Sequence, residues 1–481
     1  MTHFRIDPRV GVCVAFVAAM FMSIMDSTIV NVALPAMGRQ FSVPSAALDS
    51  VVVAYLTSLA IASPASGWIA DRWGTRPVFL AGLTLFGVSS ALCGIAGSLT
   101  ALVVFRFVQG LAGGVLTPIG QSMLYRTFPP AERIRVSRIL ILATVIAPAA
   151  GPALGGWLVT EVSWRWVFFV NVPIVAGTLA FSLVALPTFR DAAVAKLDRW
   201  GFCLSAIGFA FLTYALTEGP SQGWTKLATL IPALIGVAAL IALVVVEIRA
   251  PDPMLNLRLF EDRLFLSANL TSLAFGAGFL GLLFVAPLYL QDGLGASALI
   301  SGLTTFTEAI GVAVSSQIVA RIYPRVGPRR LIFGGLSVAA LMMALQAFDG
   351  PTTSLWIFRS LMFLTGAGMA FAFMSSGTAA FAAMPARLMS QASALMSVQQ
   401  RLGSALGVAI LSAALEAIGT TSTDPTGALV PNLTSYRIAF VLSALLTFGG
   451  GLVALTIHDQ DAAATLTTKT EAAIPESALS A

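Results

Sequence analysis

A chain of 481 residues that is 57% hydrophobic and 10% charged cannot cover a water-facing surface, because a soluble domain carries roughly 25% charged residues. The mean hydropathy of +0.89 agrees. The formal charge of +5, from 27 Lys and Arg against 22 Asp and Glu, would suggest a nucleic-acid partner in a soluble chain; here membrane sidedness accounts for it, and no nucleic acid is expected.

A helix needs about 20 apolar residues to cross a hydrocarbon layer of about 30 Å. Fourteen stretches reach that length: residues 10–34, 47–69, 78–96, 99–123, 138–159, 166–186, 201–217, 227–248, 264–290, 298–321, 330–348, 354–375, 392–417 and 435–457. The fold class is therefore an all-α polytopic membrane protein. The first stretch lacks the small-residue cleavage site of a signal peptide and reads as a retained helix. With the N-terminus on the inner side, twenty basic residues fall in inner loops and tails, and only Arg39, Arg165, Lys226 and Arg437 fall outside. This asymmetry places both termini in the cytoplasm. All eight tryptophans fall at or near span ends, as amphipathic indoles do at a headgroup boundary. The chain turns polar after His458, which predicts a disordered tail.

Sliding the sequence by 253 residues superposes Gly74 on Gly327, Arg76 on Arg329, Gly82 on Gly335, Phe105-Arg106 on Phe358-Arg359 and Gly113 on Gly366. Matches at one offset, in segments of the same sidedness, imply a duplicated six-helix bundle. The expected organisation is a first bundle over 1–188, a central two-helix insert over 189–262, a second bundle over 263–457 and a tail over 458–481. Duplicated halves around a midplane site are the architecture of alternating access.

Five ionisable residues stand out inside the spans: Asp26, Glu308, Arg106, Arg359 and Arg401. A charge at the bilayer centre costs at least ~2.5 to 3.5 kcal/mol, so each is a functional candidate. At ~1.5 Å per residue, Asp26, Arg106 and Glu308 lie ~10 to 15 Å from the outer ends of their spans and share a layer. We expect them to meet in one solvated central cavity, with Asn31, Tyr55 and Gln109 as polar lining. Asp26 and Glu308 would exchange protons and respond to substrate while Arg106 polarises the site. A fixed ion pair between the first and fourth spans is the alternative for Asp26 and Arg106. Arg359, the repeat mate of Arg106, sits nearer the interface and could snorkel. Glu247 and Glu416 lie near helix ends and are expected at the interface.

Gly67 and Gly74 bracket a tight cytoplasmic turn in which Asp71, Arg72 and Arg76 can form ion pairs or meet helix ends, latching the halves together. In the fifth span Gly151 and Gly155 lie four apart, with Gly156 beside them, allowing close backbone approach; Pro148 and Pro152 remove backbone donors and can bend the helix.

These runs carry a resemblance. MDSTIVNVALP (25–35), GWIADRWGTRP (67–77), RFVQG (106–110), PAAGPALGG (148–156), WRWVFFVNVPI (164–174) and SQASALMSVQQRLGSALGVA (390–409) stand in order along the chain. Together they are similar to the motifs of the major facilitator superfamily, specifically its fourteen-helix drug:proton antiporter branch. Met25 stands where Leu is usual and Ala147 where Gly is expected. The resemblance implies two six-helix pseudo-repeats plus an inserted pair, and a monomer in a bacterial inner membrane. It implies export of small lipophilic compounds, cations among them, in exchange for protons, and hence antibiotic resistance. Glu308 inherits no role, since the family more often has a small residue there.

Other classes fit poorly. Only three lysines are present, Lys196, Lys226 and Lys469, and none completes a phosphate-binding loop. His3 and His458 lie outside the spans and no HExxH occurs, so no metal or other cofactor is expected beyond the proton as coupling ion. An enzyme is disfavoured. An exporter of one metabolite (amino acid, sugar or siderophore) and a non-transporting sensor remain as alternatives.

Overall fold

The computed structural model describes residues 7–43, 45–189, 198–250, 253–423 and 429–466. Lipid offers backbone groups no hydrogen-bond partner, so each apolar stretch closes its own bonds as a helix. The helices in chain order are α1 (Pro8–Phe41), α2 (Ser45–Trp73), α3 (Thr75–Gly94), α4 (Leu99–Thr127), α5 (Pro130–Glu161), α6 (Trp166–Phe169), α7 (Asn171–Ala185), α8 (Arg199–Gln222) and α9 (Leu227–Arg249). They continue as α10 (Arg263–Leu288), α11 (Ala298–Val326), α12 (Pro328–Gln346), α13 (Leu355–Ala380), α14 (Met389–Ile418) and α15 (Leu433–Ala454). Among the described residues, 13 spans are long and apolar enough to cross a membrane, α6 and α7 forming one of them. The 32-residue α5 occupies the position expected of the remaining crossing. A short hairpin, β1 (Thr421–Thr423) with β2 (Leu429–Pro431), joins α14 to α15 where the sequence suggests only a loop.

The duplication is visible in the helix boundaries. Both α2 and α11 span 29 residues, displaced by the same 253 positions at both ends. Gly74 and Gly327 adopt φ of +90° and +85°, a region costly for any side chain, and each is the single residue between two helices. In both halves the helix after this turn packs on the helix that follows it: α3 on α4, and α12 on α13. The pair α8 and α9 bridges the halves, α8 packing against α2 of the first and α14 of the second. Ala60, Phe209 and Val398 are the buried contact among α2, α8 and α14.

One end of the bundle carries Arg9, Arg72, Arg76, Arg126 and Arg133; we call it the basic end. Arg9 pairs there with Glu132 at the start of α5. The largest apolar cluster lies toward this end and draws on both halves, from Val12, Phe79 and Met123 to Phe381, Leu395 and Met396. The cluster toward the opposite end of the first half, built on Ile29, Val51, Val167 and Phe168, contains no residue of the second half among the described residues. The halves are thus sealed against each other at the basic end.

Two residues at helix ends pack inward. Glu247, near the end of α9, is buried, 2% exposed, and accepts the backbone N–H of Leu255, so it ties the α9–α10 connection to the bundle. Trp164, between α5 and α6, is buried and donates to Gln40. One expectation is corrected. The start of the tail is packed: Asp459 accepts from the Arg329 N–H, Tyr323 and Thr465 share a hydrogen bond, and Ala462 is buried. Polarity alone misleads here, because the segment's few apolar side chains complete the floor of the second bundle. Residues 467–481 lie outside the described residues.

Close helix contacts rest on particular glycines. A Cβ at Gly110 would run into Ser58 Oγ and the Tyr55 carbonyl, whereas one at Gly156 meets nothing within 4 Å among the described residues. Gly110→Ala is expected to cost about 1 to 3 kcal/mol by forcing α2 and α4 apart. Gly156→Ala should be neutral or slightly stabilising. Thermal unfolding of both variants in detergent checks the contrast.

Candidate functional site

The polar centre of the first half is built on Asp26 of α1, which has no exposed surface. Arg106 Nη1 on α4 donates to Asp26 Oδ2 at 2.6 Å. The other oxygen, Oδ1, accepts from Gln109 Nε2 at 3.0 Å and from Asn171 Nδ2 at 2.7 Å. Gln109 lies one turn beyond Arg106 on the same face of α4, and its carbonyl oxygen accepts from Arg106 Nη1 at 2.9 Å. Asn171, the first residue of α7, also donates to Ser90 of α3 at 3.1 Å. The guanidinium lies over the Tyr55 ring of α2, 4.1 Å from its centroid, and Arg106 Nε donates to the Val51 carbonyl at 3.4 Å. One carboxylate thereby links α1, α2, α3, α4 and α7.

This geometry corrects the expected wet chamber. Asp26, Arg106, Tyr55 and Gln109 are all at most 1% exposed and sealed among helices of one half. Their hydrogen bonds are supplied by amides and a carbonyl, so the pair needs no water. Asn31 is exposed and outside the network. It follows Asp26 by five residues, which turns it roughly 140° around the helix axis.

At the basic end, Asp71 of α2 pairs with Arg126 of α4 at 3.3 Å. Arg126 Nη2 also donates to Ser390 Oγ of α14 at 3.1 Å, and Ser390 shares a hydrogen bond with Ser122. Gly67 lets α2 approach the Ser390 carbonyl, 3.1 Å from where a Cβ would sit. Arg133 donates to the Phe381 carbonyl across the same seam, and Tyr125 packs on the Phe381 ring with centroids 4.4 Å apart. The latch therefore runs Asp71–Arg126–Ser390. Arg76 instead meets the end of α7, donating to the Leu183 carbonyl, and Arg72 is exposed. Along α5, Gly151 abuts Thr28 and Gly155 abuts Ile29, so this helix packs tightly on α1. The side chains of Pro148 and Pro152 lie outside the described residues, and Gly156 has open space where a Cβ would sit.

The second half uses the same register with different chemistry. Arg359 Nε reaches Thr304 Oγ1 at 3.2 Å, the repeat mate of the Arg106–Val51 contact, and its guanidinium lies over Trp356, 4.8 Å from the ring centroid. Glu308 occupies the place that Tyr55 holds in the first half, and Gly366 packs on its backbone as Gly113 packs on the Tyr55 hydroxyl. Glu308 is 7% exposed, and among the described residues no hydrogen bond or ion pair reaches its carboxyl group. Its helix packs on α13 and, across the seam, on α5. Asp26 and Glu308 are not joined: Asp26 is enclosed by Arg106, Gln109 and Asn171 of its own half, and among the described residues no hydrogen bond or ion pair links the two acids. Arg401 on α14 is half-buried and has a buried Nε without a hydrogen-bond partner among the described residues. No group of three or more metal-ligating side chains occurs among the described residues.

The Major Facilitator Superfamily model matches residues 16–408 and, again, 270–480. The chain belongs to this superfamily. It is 31% identical over 409 residues to a Mycobacterium tuberculosis protein named multidrug resistance protein B homolog, covering 84% of this chain and 75% of that one. It is 34% identical over 396 residues to the putative multidrug resistance protein MdtD of Serratia proteamaculans, covering 81% and 82%. A crystal structure of the human organic anion transporter MFSD10 (TETRAN) superposes with a TM-score of 0.64 at 15% identity, covering 93% of this chain and all of that one, and so shares the fold. This major facilitator protein is a multi-pass membrane transporter and not an enzyme.

Two residues central to the facilitator's polar contacts do not stand out in the sequence. Asn171 is an amide inside the apolar run WRWVFFVNVPI, and Arg126 is one more inner-side arginine. Arg106→Ala, which leaves Asp26 buried without its countercharge, is expected to cost about 3 to 5 kcal/mol. Asn171→Ala removes one hydrogen bond to a charged acceptor and should cost about 1.5 to 3 kcal/mol. Apparent unfolding temperatures in detergent give the ranking, and equal losses would contradict it.

Proposed function

We propose that this transporter is a proton-coupled antiporter that exports lipophilic, cation-bearing compounds by alternating access. One observation carries the reading: Glu308 is a buried carboxyl group without a partner among the described residues, on a helix at the seam between the halves. A carboxylate isolated from water is too costly to persist, so it is neutralised either by a proton or by a cation. If proton and substrate cation compete for that group, binding one expels the other, which is the coupling an antiporter needs. Asp26 already has a countercharge and two amide donors, so in this state it is occupied by the protein itself. Its part in coupling belongs to a second state in which α1 shifts against α4 and loosens the pair.

The seal at the basic end supports the assignment of a state open toward the other side. With the basic end in the cytoplasm, as the charge asymmetry favours, this is the outward-facing state of a plasma-membrane exporter. The relatives' names, multidrug resistance protein B homolog and MdtD, support small, chemically varied substrates. Arg401 favours a second reading, export of a metabolite that carries both charges, in which an anionic group would meet its buried Nε.

Substrate-driven proton movement in proteoliposomes tests the mechanism. Glu308→Gln is expected to abolish proton exchange driven by a cationic dye while leaving any exchange of neutral substrates. Asp26→Asn should slow exchange of both. Unaltered pH-dependent exchange in both variants would remove these acids from the scheme. A growth assay against cationic dyes and zwitterionic metabolites separates the two substrate classes. At the latch, Arg126→Ala is expected to raise labelling of a cysteine placed at the basic end of the seam, because the closed state loses its cross-half bond.

A further inference from the structure

A cavity of about 610 Å³ lies between the inserted helix pair and the first half, walled by α2, α4, α8 and α9. Its size falls within the roughly 300 to 1,000 Å³ of small-molecule sites. It is separate from the polar centres of both halves: α2 turns Tyr55 toward Arg106 on one face and presents Val53 and Thr57 to the cavity on another, and neither Asp26, Arg106, Glu308 nor Arg401 lines it.

The lining has a polarity along the helix axis. Glu218, the single charged residue of the lining among the described residues, sits four residues from the end of α8, at the end of the bundle opposite the basic end. Tyr214 and Phe211 lie one and two turns deeper on the same helix, and Phe107 of α4 joins them in the lining. These three aromatic residues keep 36 to 39% of their surface exposed, so their rings are available to a guest. Among the described residues no basic side chain lines the cavity. An acid at one end of the lining with aromatic rings beneath it is an arrangement for a cation with an apolar body, the charge held near the carboxylate and over the ring faces. A phospholipid phosphate is the wrong charge for that end.

We propose that this cavity is a second binding site, for lipophilic organic monocations, which the chain owes to its inserted helix pair and which is reached from the side opposite the basic end. The site goes beyond the antiport reading and does not require it, because it lies outside the seam between the halves. It gives the inserted pair a ligand-binding role in addition to bridging the two bundles.

Equilibrium binding of tetraphenylphosphonium to the purified full chain in lipid nanodiscs tests the assignment. Three variants are compared with wild type: Ala210→Trp, which fills the cavity; Glu218→Gln, which removes its charge and keeps its shape; and Glu308→Gln, which alters the seam. A two-site isotherm is expected in wild type. Glu218→Gln should weaken one site about tenfold, Ala210→Trp should remove that same site, and Glu308→Gln should leave it unchanged. Unfolding temperatures identify a variant that misfolds, and Glu218→Gln carries the test if Ala210→Trp does. Wild-type isotherms in both cavity variants, or a tightly held phospholipid in the cavity that the cation does not displace, overturn the proposal. Failure of the antiport reading looks different: Glu308→Gln then leaves proton exchange intact whatever the cavity variants do.

Discussion

The first bundle is organised around the Asp26–Arg106 ion pair. Neither charge reaches solvent, so each must be satisfied by the protein or leave the fold several kcal/mol less stable. Gln109 and Asn171 supply donors to the second carboxylate oxygen, and Tyr55 supplies a ring face to the guanidinium. Since these residues come from α1, α2, α4 and α7, the angular positions of four helices follow from one requirement. Apolar packing in lipid would not fix those positions by itself, because lipid tails solvate leucines as well as neighbouring helices do.

The second bundle repeats the backbone but not this chemistry. Its arginine, Arg359, leans toward Trp356 and Thr304, and its acid, Glu308, takes the place of a tyrosine. Duplication preserved glycines that bring paired helices together, as Gly113 and Gly366 do, because a Cβ there meets the neighbouring helix. It left the facing side chains free to diverge. The outcome is one half with a satisfied charge network and one whose acid finds no partner among the described residues, and that asymmetry makes Glu308 the candidate coupling group. A symmetric molecule with two sealed pairs would have no group left for an incoming cation.

The halves meet most closely at the basic end, where Arg126 serves Asp71 in its own half and Ser390 in the other. A residue with partners on both sides of a seam can release one and keep the other. This makes the contact suitable for a state that must form and break. The inserted pair sits at the flank of the seam, with α8 against α2 and α14, so its cavity belongs to the architecture that fourteen helices create and twelve would not.

Much of this is legible in the residues themselves. Apolar length locates the helices, because crossing lipid leaves the backbone no other structure; the constant offset exposes the duplication; and the cost of charge in lipid selects Asp26, Arg106 and Glu308. Tertiary structure decided which of those charges meet. Depth along a helix can be counted from sequence, but rotation and partner cannot, since they depend on which neighbour offers a donor at the same height. Hence Asn31 turns away from Asp26 while Asn171, far along the chain, takes up its oxygen. Glu308 had to be seen in place before its lack of a partner could be known. The cavity at Glu218 is beyond any linear reading, because a void is a property of four helices that fail to fill the space between them.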